Sequence, residues 1–200
     1  MSRYYVSGST DGPVLENLLG ITDVESLNTE EFIGFAWAAN KAIEDLTEET
    51  VFDVVYLKTL HSSALGHIYG FAGRLRDVNM SKDGFMFAPA GFLESSLKTC
   101  EADFLDKINA NSSDSEEKLL EQLADMHAEL LFIHPFREGN GRTIRLFTRL
   151  VYLAKTGKEI DFEEKITSSA AVRRRYIEGV QQAAKGEYSP MRALFRELKA

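Results

Sequence analysis

Cysteine is nearly absent: Cys100 stands alone in 200 residues. No intramolecular disulfide can form, and the chain suits a reducing compartment such as the cytoplasm. Positive charge is in the minority, with 23 Lys and Arg against 31 Asp and Glu and a net charge of −8. A phosphate backbone would be repelled overall, which argues against direct nucleic-acid binding. No run is long or apolar enough to span a membrane. The opening residues, MSRYYVSGST, lack the apolar region of a signal peptide. The sequon Asn111-Ser112-Ser113 therefore carries no meaning. Internal repeats and long low-complexity tracts are missing too.

What is present reads as one all-α domain. With 44% hydrophobic and 27% charged residues, the composition is that of a soluble globular protein large enough to bury a core unaided. Residues 1–28 read as an irregular N-terminal arm packing on a domain of residues 29–200. Thr29, followed by Glu30 and Glu31, reads as a helix cap with acid in the first turn. The helix over 30–45 is expected to bury Phe32, Phe35, Ala36, Ala39 and Ile43. Further helices are expected over 51–65, over 90–110 (burying Phe92, Leu93, Leu97, Cys100 and Phe104), and over 116–133 from a capping box at Ser113 and Glu116. Three more follow over 141–155, 168–185 and 190–198, for about seven to eight in all. One segment breaks the pattern: DVNMSKDGFMFAP, residues 77–89, alternates around Asp83-Gly84 and reads as a β-hairpin. A lone hairpin is marginal in water, so it must pack on the helices or touch something else.

The densest polar stretch is HPFREGNGRTIR, residues 134–145. The preceding helix carries Leu120, Leu123, His127, Leu130 and His134 on one stripe. Pro135 disfavours helix at His134, leaving that imidazole at the lip of the core. Phe136 is the only large apolar residue of the loop and anchors it. Glu138-Gly139-Asn140-Gly141 turns into the next helix, with Asn140 as a cap. Glycines there let a ligand approach backbone N–H groups, and the helix N-terminus adds donors and positive charge. Arg142 and Arg145 lie on one face of the first turns, where the helix dipole disfavours cations, and Arg149 extends the stripe. Two readings stand side by side. Gly-Asn-Gly can be a plain turn with Glu138 and Arg142 as an i,i+4 pair. Together with His134, the cluster reads as an anion site beside a base, with Glu138 suited to a divalent cation bridging phosphates. His127 reads as a packed core histidine, and His61 and His67 show no metal-site pattern.

This stretch resembles the signature of the Fic (filamentation induced by cAMP) family, His-x-Phe-x-(Asp/Glu)-Gly-Asn-Gly-Arg-x-x-Arg, at every specified position. Residues 67–89 look like the region holding that family's target-binding flap, and residues 4–21 like the arm of its bacterial members. The resemblance implies a Fic fold, a helical bundle with one β-hairpin flap. It implies a protein adenylyltransferase that moves AMP from ATP to a Tyr, Ser or Thr hydroxyl of a target protein. His134 would then be the general base and Glu138 the holder of Mg²⁺. Gly139, Asn140, Gly141, Arg142 and Arg145 would grip the phosphates, with Phe136 as structural anchor. Met80, Ser81, Lys82, Phe85 and Phe87 would form the flap, pairing with a target segment as an added strand.

Many members carry an inhibitory helix, (Ser/Thr)-x-x-x-Glu-(Gly/Asn), whose glutamate pairs with the second motif arginine, here Arg145. Ser26 and Glu30 have the spacing, but Glu31 follows where Gly or Asn is required. Glu178-Gly179 has the ending, but Arg174 stands where Ser or Thr is required. The chain therefore resembles the class restrained in trans by a small antitoxin, whose toxins are associated with type II topoisomerases. Gly141 stands where the related Doc-like kinases have Lys. Transfer of another nucleotide or phosphate-containing group, and a catalytically silent nucleotide-binding module, are the alternatives.

Overall fold

The computed structural model describes residues 5, 6, 12, 14–110, 115–160 and 162–199. Its helices are α1 (Val24–Glu44), α2 (Val54–Leu65), α3 (Leu93–Cys100), α4 (Asp106–Asn109), α5 (Glu116–Ile133), α6 (Asn140–Thr156), α7 (Phe162–Ser168), α8 (Ala170–Ala183) and α9 (Ser189–Lys199). A 3₁₀ turn, Ala90–Phe92, leads into α3, and a π-helical turn, Glu101–Leu105, joins α3 to α4. The helix expected over 90–110 is therefore present but locally rewound. At the centre, α5 packs against α3, α6, α8 and α9. It is buried on more than one face, from Leu119 and Leu120 through Leu130 and Ile133, as a helix surrounded by others must be. The all-α bundle with a hairpin is the architecture that the sequence implied.

The hairpin is real and has company. Strands β1 (Tyr5–Val6), β2 (Met80–Lys82) and β3 (Phe85–Met86) form an antiparallel sheet in the order β1-β2-β3. Ser81 pairs with Met86 on one side and with Tyr5 on the other. Asp83 and Gly84 both take positive φ, as a two-residue hairpin turn requires. Val6, Met80 and Phe87 bury a small apolar cluster of their own beneath the sheet. The third strand comes from the arm that the sequence reading left irregular.

Four expectations change. Helix α1 starts at Val24, capped by Asp23, whose carboxylate accepts from Ser26 N–H at 2.8 Å. Thr29 lies inside the helix with its hydroxyl on the Glu25 carbonyl. The buried face of α1 is also rotated: Leu27, Glu31, Gly34, Phe35 and Ala38 point inward, while Phe32 is 72% exposed and Ala36 is exposed too. The cause is Gly34, where any Cβ would run into the Ala64 carbonyl of α2; the helices touch there, and that contact sets the rotation. Phe92 is likewise exposed, because it belongs to the 3₁₀ turn and does not share the phase of α3. Ser113 lies outside the described residues, and α5 is capped by Ser115.

Candidate functional site

Residues 134–139 form the loop between α5 and α6, and its shape follows from its residues. His134 closes α5 in the left-handed region, with φ 52° and ψ 61°. A helical conformation there is disfavoured by Pro135. Asn140 folds the loop back on itself: its side chain accepts from Phe136 N–H and donates to the Phe136 carbonyl, both at 2.7 Å. It is thus a clasp rather than a cap, since α6 begins at Asn140 and Gly139 is the residue before it. Gly139 has φ 75°, and a Cβ there would press on the Leu65 side chain at 2.7 Å. Gly141 leaves room for the Arg145 guanidinium, which would lie 2.9 Å from a Cβ at that position. Phe136 is fully buried and stacks on the His61 ring at 3.9 Å, as an anchor should.

The imidazole of His134 is 4% exposed. Its Nδ1 lies 3.2 Å from the Leu131 carbonyl oxygen, which can only accept, so Nδ1 carries the hydrogen and Nε2 is the basic nitrogen. Phe87 stacks on the ring at 3.8 Å with planes 13° apart. Burial pushes the pKa of His134 down to about 3, with the nearby Arg76 and Lys82 adding to the effect. The ring is neutral at neutral pH, and its burial makes it a weak base. The residue read as base and a phenylalanine read as flap are in direct contact.

At the start of α6 each arginine meets an acid. Arg142 donates to Glu31 at 2.6 Å, lies 3.5 Å from Glu138, and covers the Phe35 ring at 4.8 Å. Glu31 in turn accepts from the Tyr69 hydroxyl. Arg145 makes a two-pronged pair with Glu163 of α7, and Arg149 does the same with Glu159. Glu138 is buried, and its carboxylate accepts from Gly139 N–H at 2.9 Å. Its carbonyl is held by His61 Nε2 at 2.9 Å, while His61 Nδ1 accepts from Gly73 N–H. That pattern fixes the His61 tautomer, and burial pushes its pKa down to about 4. Glu138 thus neighbours Arg142, and its carboxylate turns back onto the amide just ahead of α6.

His127 is a core histidine, bonded to Thr148 and Tyr176 at 2.8 and 2.7 Å. Tyr188 bonds Glu129. Of the hairpin residues, Met80, Ser81 and Phe87 are buried, and Lys82 and Phe85 are half-buried. Sequence reasoning missed Glu31, His61, Tyr69, Arg76 and Glu163. Only Glu31 left a trace: it follows Glu30, which has the spacing of the inhibitory motif, and it is the acid turned inward.

Comparison with known proteins finds that the Fic/DOC family matches residues 51–152. A protein adenylyltransferase, VbhT, of Bartonella schoenbuchensis is 33% identical over 135 residues, covering 67% of this chain and 28% of that relative. The chain thus spans under a third of that protein's length. A probable protein adenylyltransferase, y4lH, of Sinorhizobium fredii is 25% identical over 92% of this chain and 91% of its own. Among solved structures, the BepC effector of Bartonella tribocorum with bound AMPPNP superposes with a TM-score of 0.77. It is 26% identical and covers 96% of this chain and 93% of that one.

Proposed function

The chain belongs to the Fic/DOC family, and from that premise we propose that it is a protein adenylyltransferase, moving AMP from ATP to a hydroxyl of a target protein. The observation that carries the reading is the placement of a neutral His134 one short loop ahead of the N-terminus of α6, whose first turns carry Arg142 and Arg145. In this reading Nε2 of His134 takes the proton of a Tyr, Ser or Thr hydroxyl. The hydroxyl oxygen attacks the α-phosphorus of ATP, the bond to the α–β bridging oxygen breaks, and pyrophosphate leaves. Backbone donors at Gly139, Asn140 and Gly141, with Arg142 and Arg145, hold the polyphosphate, so the rate comes from positioning and charge stabilisation.

Glu138 is the residue that would hold Mg²⁺. No cluster of three or more metal-ligating side chains lies among the described residues. A single carboxylate suits Mg²⁺, which keeps waters and takes ligands from substrate phosphates. When bound, the ion would neutralise charge on those phosphates.

The target segment would pair with the hairpin through main-chain bonds, and its hydroxyl would reach His134 once Phe87 yields its place. The partner is a protein of that description, with a type II topoisomerase as first candidate. An antitoxin glutamate directed at Arg145 would have to replace Glu163. A single buried Cys100 fits a cytoplasmic setting. The test uses ATP labelled separately at the α- and γ-phosphates, with Mg²⁺ and a lysate, on wild type and His134→Ala. Label from the α-position, lost in His134→Ala, is expected. Label from the γ-position would make the protein a kinase, and no label from either would leave a nucleotide-binding module.

A further inference from the structure

Arg76 is the most thoroughly engaged buried cation outside the motif. It is 4% exposed, and every bond of its guanidinium ends on a backbone carbonyl. Nε donates to the His134 carbonyl at 2.7 Å, and one terminal nitrogen donates to Val78 at 2.6 Å. The other donates to Ile133 at 3.1 Å and to Ala88. The Arg76 backbone N–H adds a fifth link, to the Pro135 carbonyl at 2.9 Å. Two of the side-chain acceptors close α5, and the other two lie on the stems of the hairpin, before β2 and after β3.

The chemistry at each end calls for such a group. The last carbonyls of a helix lack intrahelical partners and carry the negative end of its dipole. A glycine ordinarily closes a helix in the left-handed conformation, but here that residue is His134, which needs a side chain and carries the strain of φ 52°. A planar fork of five donors can serve four acceptors in fixed directions, whereas an ammonium has only three donors and no fork. Burial pushes the pKa of Arg76 down to about 10, so it remains a cation at neutral pH.

We propose that Arg76 is a positioning residue that locks the His134 turn to both stems of the hairpin, so that base and target-binding strand are held in one fixed relation. It touches neither nucleotide nor target, and acts through His134 and the hairpin. The proposal rests on the reading of His134 as base and of the hairpin as the target's docking strand. The nucleotide grip of that reading lies at the start of α6, which none of the bonds of Arg76 reaches.

Two variants test it. Arg76→Lys keeps the charge and loses the fork, and Arg76→Met loses both. Thermal melting establishes that each is folded. Titration with Mg²⁺ and ATP is expected to give a Kd within about threefold of wild type. Transfer at saturating ATP is expected to fall roughly 10- to 100-fold in Arg76→Lys, the scale of a small misplacement of reacting groups, and further in Arg76→Met. If Arg76→Lys transfers at the wild-type rate, the proposal is wrong. If its ATP affinity falls in step with its rate, Arg76 is a general packing residue and the proposal also fails. Should Arg76→Met not fold, Arg76→Lys alone decides. His134→Ala, run alongside, separates the two readings: transfer that survives there rejects the base assignment whatever Arg76 does.

Discussion

The two motif arginines are clasped from opposite sides. Arg142 meets Glu31, whose side chain is 1% exposed, whereas Arg145 meets Glu163, whose side chain is 54% exposed. Glu31 belongs to a long helix locked against α2 at Gly34 and is held further by Tyr69. Glu163 lies on a short helix, α7. Removing one partner of a buried pair leaves the other uncompensated, while exposed pairs contribute little. The inner clasp is architecture and sets where Arg142 points. The outer clasp has one exposed partner, and its carboxylate is the more readily exchanged of the two.

The contrast can be broken by mutation. Glu31→Ala is expected to destabilise the fold by about 3 kcal/mol, seen as a drop of roughly 10 °C in melting temperature. A drop as small as that of Glu163→Ala would erase the distinction. Acid should strain the inner side next. Burial holds His61, His127 and His134 at about 4, 3 and 3, below the unfolded value of about 6.5. Between those limits the unfolded chain binds protons that the folded chain refuses, so stability falls as pH drops below about 6.5 and is level above it. At pH 5 each histidine accounts for roughly 2 kcal/mol. Urea midpoints at pH 7 and pH 5 measure this, and His61→Gln should shrink the difference by about a third; an unchanged difference refutes it.

Smaller effects sharpen the outer side. Arg145→Lys should weaken ATP binding by about tenfold through loss of two-pronged geometry, read by calorimetric titration. Glu163→Gln should tighten ATP binding by a few-fold and shift stability by less than about 1 kcal/mol. Weaker binding in Glu163→Gln would mean that the carboxylate orients Arg145 for the ligand instead of competing with it.

The site was legible in the sequence where neighbours in the chain are neighbours in space. His134, Phe136, the Gly-Asn-Gly turn and the arginines lie within twelve residues, and Pro135 announces the end of α5. The hairpin was readable from Asp83-Gly84 and its alternating flanks. Glu31, Tyr69 and Glu163 were not: Glu31 and Glu163 meet their arginines, and Tyr69 meets Glu31, between elements that lie apart in the chain. For Glu31 the obstacle was also phase. Phe32 looks like the core residue of α1, and only the contact at Gly34, invisible without α2, turns the acid inward and the phenylalanine out. Arg76 hides for another reason: its partners are backbone carbonyls, which leave no mark on residue type.

The pairing of β1 with β2 has a consequence beyond the shape of the sheet. A strand with unpaired amides and carbonyls accepts almost any extended segment, wanted or not. With Tyr5 and Val6 seated along Ser81 and Met80, that flank of the hairpin is already taken by the chain itself. An added strand would be left the β3 flank, alongside Phe85 and Met86, until the arm lets go. Two residues well ahead of the first helix would thus narrow which strands the hairpin can admit.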